Sequence, residues 1–287
     1  MIPKPPADAP PYPLEGVVSW NMNTTCNYRC SYCTQRFLDD RTRWAKAVPR
    51  FVEAFAKLPG DWEVKLSGGE PFSHPRLFDV IEGLARANRR VAVVTNLAAS
   101  EAALLRFCEL VAPRPGVISA SLHLEYVDPD AFADKLARVA AAHAGPVVAT
   151  CVATRQALPR LPELVARFAD RGLTLRVQPE KQDRDVITYT EAEQADLLAL
   201  GGHNGTGLVA PSFTGRWCWA GSRYLIVDDR GEAWRCYPAR RFKKEPLGNL
   251  LDGTFRLRDA PARCVYEYCN CTVPPQRGMV ATTSPAR

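Results

Sequence analysis

Apolar positions along this chain fall into short runs that alternate with longer, helically spaced segments. The short runs, rich in β-branched residues, predict six strands at 17–22, 63–66, 91–95, 117–122, 147–152 and 174–177. The helical spacing predicts helices at 45–57, 75–87, 101–111, 129–143 and 161–171. Ser100 and Asp128 occupy expected N-cap positions, and Gly172 follows the last of these helices.

This alternation predicts the fold class. Strands that are each followed by a helix form right-handed βαβ units and a parallel sheet. We therefore predict an α/β protein, with a partial (β/α)6 TIM-like barrel over residues 14–205 and ligands at the carboxyl ends of its strands. The first 13 residues contain six prolines and predict an extended, solvated arm.

A different pattern follows residue 190. A last helix is predicted at 191–199, and 222–227 and 232–236 predict a β-hairpin that turns at Gly231. We predict a small cysteine-rich module over residues 206–272, built from this hairpin and a helix. It is too small to bury much core, so a bound metal would stabilise it. The tail, 273–287, is predicted to be disordered.

Composition and charge narrow the function classes. Apolar residues make up 46% of the chain and charged residues 24%, which excludes a globally disordered or collagen-like protein. No apolar run approaches the roughly 18–20 residues that span a bilayer, and the N-terminus lacks the apolar segment of a signal peptide. The net charge of +6 is spread along the chain. We expect a cytoplasmic protein without membrane or nucleic-acid partners.

The ten cysteines are distributed unevenly. Thiols in a reducing compartment suit metal binding or catalysis better than disulfides. Only Cys108 and Cys151 lie in the long middle of the chain, and the others form an early and a late group: Cys26, Cys30 and Cys33, then Cys218, Cys236, Cys264, Cys269 and Cys271. Two separate metal sites are therefore predicted.

The early group follows directly on the first predicted strand. Three and two residues separate Cys26, Cys30 and Cys33, so the three thiolates can converge as an iron–sulfur cluster requires. A [4Fe–4S] cluster held by three cysteines leaves one iron open to an outside ligand. A structural zinc, the alternative, needs a fourth ligand, and the nearest histidine in the sequence is His74.

The second predicted strand ends in Ser67-Gly68-Gly69-Glu70-Pro71. Two glycines allow close backbone approach to a ligand, and Glu70 adds an anionic acceptor that suits an ammonium group. The segment Cys26–Cys33 resembles the CxxxCxΦC motif of the radical S-adenosylmethionine (SAM) superfamily, with Tyr32 as its aromatic residue. Gly68, Gly69 and Glu70 resemble the GGE motif of the same superfamily.

The resemblance implies a SAM-binding [4Fe–4S] cluster on the cysteine triad, with the methionine ammonium bound by the GGE segment. It also implies reductive cleavage of SAM to a 5′-deoxyadenosyl radical that abstracts a substrate hydrogen, with an electron donor such as flavodoxin or ferredoxin. In relatives, polar residues at the ends of later strands face the SAM carboxylate or ribose. The corresponding candidates are Asn96, Ser121 and His123, and Gln178 at the end of the sixth strand is a further candidate contact. For Ser121 and His123, hydrogen bonding within the barrel rim is the alternative.

Cys151, at the end of the fifth strand, has two interpretations: a buried core residue, or a hydrogen-atom donor to a product radical. Cys218, Gly231 and Cys236 are separated by twelve and four residues. This spacing is similar to the opening of SPASM and twitch modules. The similarity implies one auxiliary [4Fe–4S] cluster held by four of the five late cysteines, and a structural zinc stays the alternative.

Compact relatives with one auxiliary cluster favour a small substrate. We expect a net oxidation (dehydrogenation) of a small polar or sugar-like metabolite, with the auxiliary cluster as electron acceptor. A radical SAM maturase or epimerase that acts on a peptide or protein is the second possibility. A non-catalytic, metal-stapled binding module is the third, but such a module would need neither a three-ligand cluster nor the GGE segment.

Overall fold

The computed structural model describes residues 9–182, 185–269 and 272–282. Strands and helices alternate through the first part of the chain in the predicted order. The strands are β1 (Glu15–Asn23), β2 (Asp61–Gly68), β3 (Arg90–Thr95), β4 (Pro115–Leu122), β5 (Val147–Ala153) and β6 (Leu175–Pro179). The helices are α1 (Arg41–Ala56), α2 (Leu77–Arg86), α3 (Glu101–Val111), α4 (Pro129–Ala142) and α5 (Leu161–Ala169).

These six strands are parallel and lie side by side in chain order, which confirms the predicted partial barrel. Strand β1 is buried at every position after Glu15, because helices and loops cover both faces of a parallel sheet. The predicted caps are also present, since Ser100 and Asp128 accept hydrogen bonds from the first turns of α3 and α4. The carboxyl ends of the strands meet at one edge.

The rest of the chain adds shorter elements. They are β7 (Lys181–Gln182), β8 (Asp185–Val186), α6 (Glu191–Ala199), β9 (Trp217–Cys218), β10 (Tyr224–Val227), β11 (Glu232–Trp234), α7 (Tyr237–Phe242), β12 (Pro246–Asn249), β13 (Ala262–Arg263) and α8 (Val273–Gln276). The predicted hairpin is β10 and β11. None of the described helices is long and apolar enough to cross a membrane.

The hairpin is not a separate sheet. Strand β10 pairs in parallel with β1, with Tyr224 opposite Val17, and β11 and β12 extend the sheet to nine strands. The strands on the two sides of the predicted domain boundary at residue 206 therefore belong to one continuous sheet. Apolar patterning did not indicate this pairing, because it joins strands that are far apart in sequence.

The described parts of both chain ends pack against the protein, whereas solvated or disordered segments were predicted there. The tail was expected to be disordered from residue 273, yet Met279 is buried and its carbonyl accepts a hydrogen bond from Trp219 N at 3.0 Å. At the other end, Pro10 O accepts from Trp219 Nε1 at 2.9 Å, and Tyr12 packs edge-on against that indole. Both ends thus pack on one buried tryptophan. Residues 1–8 and 283–287 lie outside the described residues.

Asp229, in the β10–β11 turn, connects the hairpin to α1. Its carboxylate accepts hydrogen bonds from Arg43 and from Trp44 Nε1, the latter at 2.9 Å. Its backbone carbonyl accepts from Arg43 Nη1 at 2.7 Å. Because α1 begins where the loop of the cysteine triad ends, this contact holds that loop's far end against the C-terminal part of the sheet.

We expect Asp229→Ala to lower the free energy of unfolding by about 1–3 kcal/mol, because it leaves the buried indole N–H of Trp44 without a partner. Anaerobic urea unfolding followed by circular dichroism would measure the change. Glu53→Ala is the matched control: it removes an ion pair with Lys57 whose two side chains are 65% and 73% exposed, and should leave stability nearly unchanged. Equal effects of the two substitutions would contradict the role given to Asp229.

Candidate active site

The loop that carries the cysteine triad is bonded to the loop that follows β2. Gly69 N donates to Asn23 O at 2.9 Å, and Glu70 N donates to Thr25 O at 2.8 Å. In return, Asn23 Nδ2 donates to Glu70 O at 2.9 Å. These three bonds place the GGE segment directly beside Cys26, at the carboxyl ends of β1 and β2.

The two glycines make this contact possible. A Cβ on Gly69 would lie 1.8 Å from Thr25 O, and a Cβ on Gly68 would lie 2.2 Å from Asn23 O. Gly68 also has φ +134, a conformation that other residues rarely adopt. The sequence suggested that these glycines allow close approach of a ligand. In the structure, the group that approaches them is the backbone of residues 23–25.

Glu70 is buried and connects β2 to the end of β3. Its Oε1 accepts from Thr95 Oγ1 at 2.8 Å and from Phe72 N at 3.0 Å, and its Oε2 accepts from Asn96 N at 2.7 Å. Burial raises the pKa of Glu70 to about 7, although the three hydrogen bonds oppose the shift. Oε2 can accept a further hydrogen bond. An ammonium donor there would favour the ionised carboxylate.

A third loop, after β4, covers the cysteine triad. Nδ1 of His123 lies 3.2 Å from Cys30 Sγ and 2.8 Å from the hydroxyl of Tyr32. The rings of Tyr32 and His123 are nearly parallel, with centroids 6.0 Å apart. Cys30, Tyr32 and His123, which were predicted as site residues from two separate segments of the sequence, are therefore in contact. Asn96, at the end of β3, reaches the same loop and donates through Nδ2 to Asn27 Oδ1 at 2.8 Å.

Two residues of the loop after β4 were missed by the sequence reasoning. The carboxylate of Glu125 accepts from Ser31 N at 3.0 Å and also bonds the Ser31 hydroxyl. The hydroxyl of Tyr126 accepts from Arg29 N at 2.8 Å, and its ring stacks on Tyr28 at 4.3 Å. Their position immediately beyond the fourth strand, at the ligand-binding edge, was the available indication.

The three thiols of the triad differ in exposure. Cys26 and Cys30 are half-buried, whereas Cys33 is exposed. Burial raises the pKa of Cys26, and that of Cys30 to about 11. Both are therefore protonated at neutral pH, and binding of iron would displace their protons.

No three His, Cys, Asp or Glu side chains within the described ranges are grouped closely enough to hold a single metal ion. A [4Fe–4S] cluster makes a different demand, because each cysteine binds a different iron. The three thiols on one loop, with one already contacted by a backbone N–H (Tyr28 N to Cys26 Sγ, 3.3 Å), fit such a cluster.

The remaining SAM-site candidates are less directly placed. Pro71 is buried and begins a single 3-10 turn after Glu70. Ser121 lies 3.5 Å from Thr150 Oγ1, and Gln178 lies on β6 opposite Val152. Among the hydrogen bonds of the described residues, neither Ser121 nor Gln178 contacts the triad loop or the GGE segment. Their roles in binding SAM stay predictions.

A cavity opens beside Tyr32 at the carboxyl ends of β4 and β5. Polar and charged side chains share its lining with apolar ones, and the polar group includes Glu125, Thr154, Gln156 and Arg160. Cys151 also lines it and is only 2% exposed. Burial raises the pKa of Cys151 to about 12, so this residue is a protonated thiol at neutral pH.

A second cavity lies in the C-terminal part of the chain. Four of the five late cysteines line it together: Cys218, Cys236, Cys264 and Cys269. Cys218 lies on β9, Cys264 directly follows the paired strand β13, Cys236 directly precedes α7, and Cys269 lies in the loop before residue 270. Phe213, Pro238 and Val280 supply apolar walls. The fifth, Cys271, lies outside the described residues.

The same cavity holds a buried cation. Arg235 lines it and is 2% exposed, and its Nε has no hydrogen-bond partner among the described residues. A donor left unpaired beside four cysteines fits an anionic group with sulfur acceptors, such as a [4Fe–4S] cluster with four thiolate ligands. These residues therefore fit the auxiliary cluster that the sequence predicted, although its presence stays a proposal.

Comparison with known proteins places the first part of the chain in a family. Residues 20–144 match the model of the Radical SAM superfamily, so the chain carries a radical SAM domain. The predictions of a radical SAM enzyme with SAM and a [4Fe–4S] cluster as cofactors are thereby confirmed, while the reaction stays open. No curated protein sequence matches the chain.

Solved structures support the fold. The structure of anSMEcpe with bound AdoMet has 13% sequence identity and a TM-score of 0.59, and the match covers 84% of this chain and 76% of that one. SuiB from Streptococcus suis bound to S-adenosylmethionine has 16% identity and a TM-score of 0.57, over 85% of this chain and 64% of that one. At these identities the likeness shows a shared fold and no more.

Proposed function

We propose that this chain is a radical SAM oxidoreductase that dehydrogenates a small polar or sugar-like metabolite. One observation carries the proposal: the triad loop, the GGE segment and His123 are joined by hydrogen bonds at the carboxyl edge of the sheet. Residues 14–205 would hold the SAM site, and residues 206–272 an auxiliary cluster. A reducing cytoplasm would keep the cysteines available for iron.

The SAM site would be assembled as follows. When bound to Cys26, Cys30 and Cys33, a [4Fe–4S] cluster supplies the electron that cleaves SAM to methionine and a 5′-deoxyadenosyl radical. Glu70 Oε2 would accept a hydrogen bond from the methionine ammonium. An electron donor such as flavodoxin or ferredoxin would approach from the side of Cys33, because this thiol is exposed.

The cavity beside Tyr32 supports a polar substrate. Thr154, Gln156 and Arg160 offer hydrogen-bond donors to hydroxyl groups, and the carboxylate of Glu125 offers acceptors for hydroxyl or amino groups. Oxidation of an alcohol to a ketone removes a hydrogen atom from carbon, one further electron, and the hydroxyl proton. An auxiliary [4Fe–4S] cluster on Cys218, Cys236, Cys264 and Cys269 would supply the acceptor for that further electron.

Deuterium transfer tests the substrate class. The anaerobically reconstituted, reduced protein is incubated with SAM and 2-deoxystreptamine, an aminocyclitol, deuterated at its hydroxyl-bearing carbons. With the deuterated compound, mass spectrometry should find deuterium in 5′-deoxyadenosine. With the unlabelled aminocyclitol, it should find a ketone product that is two mass units lighter than the substrate. If the 5′-deoxyadenosine formed with the deuterated compound carries no deuterium and forms no faster than without the compound, this aminocyclitol is excluded as a substrate. The proposal of a sugar-like substrate would then be weakened.

A peptide substrate is the second candidate. The fold is shared with anSMEcpe, whose structure was also determined with Cp18Cys peptide, and with SuiB, whose structure was also determined with precursor peptide SuiA. If the chain were an epimerase, the buried thiol of Cys151 would donate a hydrogen atom to the substrate radical. Reaction in D2O would then place deuterium on a peptide α-carbon, and Cys151→Ala would remove that label while leaving 5′-deoxyadenosine formation intact.

A further inference from the structure

Arg235 occupies an unusual position for a cation. Its side chain is 2% exposed, it lines the cavity formed by the late cysteines, and it directly precedes Cys236 in the chain. A buried guanidinium is costly unless its charge and its N–H groups are matched. The nitrogen Nε has no partner in the described part of the chain.

The rest of the guanidinium is held firmly. Nη1 donates to Glu245 Oε1 at 2.9 Å, and Nη2 donates to Ala262 O at 3.1 Å. Glu245 is itself held by Arg258 Nη1 at 3.0 Å and by the hydroxyl of Tyr266 at 2.7 Å. Because both terminal nitrogens are bonded to protein, the unpaired Nε cannot turn toward another acceptor without breaking these bonds.

We propose, resting on the auxiliary cluster proposed above, that Arg235 raises the reduction potential of that cluster. Its Nε–H donates to a cluster sulfur, and its positive charge stabilises the reduced form. Reduction adds a negative charge to a group that is already anionic and surrounded by apolar walls. Hydrogen bonds to sulfur and nearby charges are established determinants of cluster potentials. A higher potential suits an electron acceptor in a substrate oxidation.

The competing interpretation is purely structural. Arg235 bonds carbonyls next to β13 and could simply tie the segment after β11 to that strand. Both interpretations predict lower stability when Arg235 is changed. Only the electrostatic one predicts that a fully loaded variant has a lower potential, so the potential and not the activity is the decisive measurement.

The experiment uses the full chain with Cys26, Cys30 and Cys33 all changed to alanine, so that any cluster lies on the late cysteines. Iron content is measured first and should be about four per chain. Redox titration followed by electron paramagnetic resonance then compares this parent with Arg235→Gln. We expect the one-electron equilibrium constant to fall about tenfold, a shift of about 59 mV to lower potential. Arg258→Gln, which contacts the same glutamate from a more exposed position, should shift it much less.

A second variant covers the case in which Arg235→Gln does not bind iron. Glu245→Gln keeps an acceptor for Arg235 but removes the compensating negative charge, so the potential should rise. An unchanged potential in an iron-replete variant, either Arg235→Gln or Glu245→Gln, would overturn the role of Arg235. A parent without iron would instead overturn the auxiliary cluster and this inference with it, so the two failures are distinguishable.

Discussion

Cys30→Ala will abolish the release of 5′-deoxyadenosine from SAM under reducing, anaerobic conditions. Cys30 is the central thiol of the triad, and its loss leaves only Cys26 and Cys33 on this loop to hold the cluster. Reconstituted wild-type protein should contain about eight irons and the variant about four, since two [4Fe–4S] clusters become one. Chemical analysis of iron and sulfide, with chromatography of the nucleoside, provides both measurements.

Cys108→Ala is the matched control for this substitution. Cys108 is buried in α3 and contributes to the core. Its loss should lower stability but leave both the iron content and SAM cleavage at the wild-type level. If Cys30→Ala still cleaved SAM, the triad would not hold the reactive cluster. Four irons in the wild type and none in a variant without Cys26, Cys30 and Cys33 would remove the auxiliary cluster from the proposal.

Gly69→Ala will disrupt SAM binding even though it adds only one methyl group. That methyl would lie 1.8 Å from Thr25 O, a backbone atom, so the GGE segment must move away from the triad loop. A displacement on the order of 1 Å at a reacting centre can lower a rate about 100-fold. We expect at least that loss in 5′-deoxyadenosine formation, with weaker SAM binding in a calorimetric titration.

Gly172→Ala tests whether the Gly69 effect is local. A methyl at Gly172 meets no atom within 4 Å, although its φ of +69 carries backbone strain of about 1 kcal/mol. This control should be slightly destabilised and fully able to bind SAM. A Gly69→Ala protein with wild-type SAM affinity would show that the contact between residues 69 and 25 does not maintain the site.

The barrel and the cysteine triad could be predicted because each leaves a local trace in the sequence. The predicted strand at 91–95 and the observed β3 (Arg90–Thr95) differ by one residue, since a run of β-branched residues between helices has few other interpretations. The triad was recognisable because metal binding restricts both residue type and spacing. Glu125 and Tyr126 belong to no such motif, and only their position beyond the fourth strand indicated them, because they bond backbone groups of a loop that is distant in sequence.

The packing of the described parts of the chain ends could not be predicted for a related reason. Met279, Val280 and Ala281 form an apolar run too short to indicate an element, and their burial depends on pairing with β9. The prolines near the N-terminus suggested solvation, but proline carbonyls still accept hydrogen bonds, as Pro10 O does. The composition of a segment indicates whether that segment alone favours solvent. It does not indicate whether residues distant in sequence form a surface against which the segment can pack.

The parallel pairing of β1 with β10 has a consequence for biosynthesis. Val17 leaves the ribosome before the rest of the barrel, and its partner Tyr224 emerges only after β2 to β6 have been synthesised. Until then, β1 exposes an unpaired edge that can associate with other chains. Pairing between segments so distant in sequence also slows folding, because the chain loses the entropy of closing a long loop before the stabilising contacts form. A nascent chain would therefore present its first three cysteines on an incomplete sheet until Tyr224 has paired with Val17.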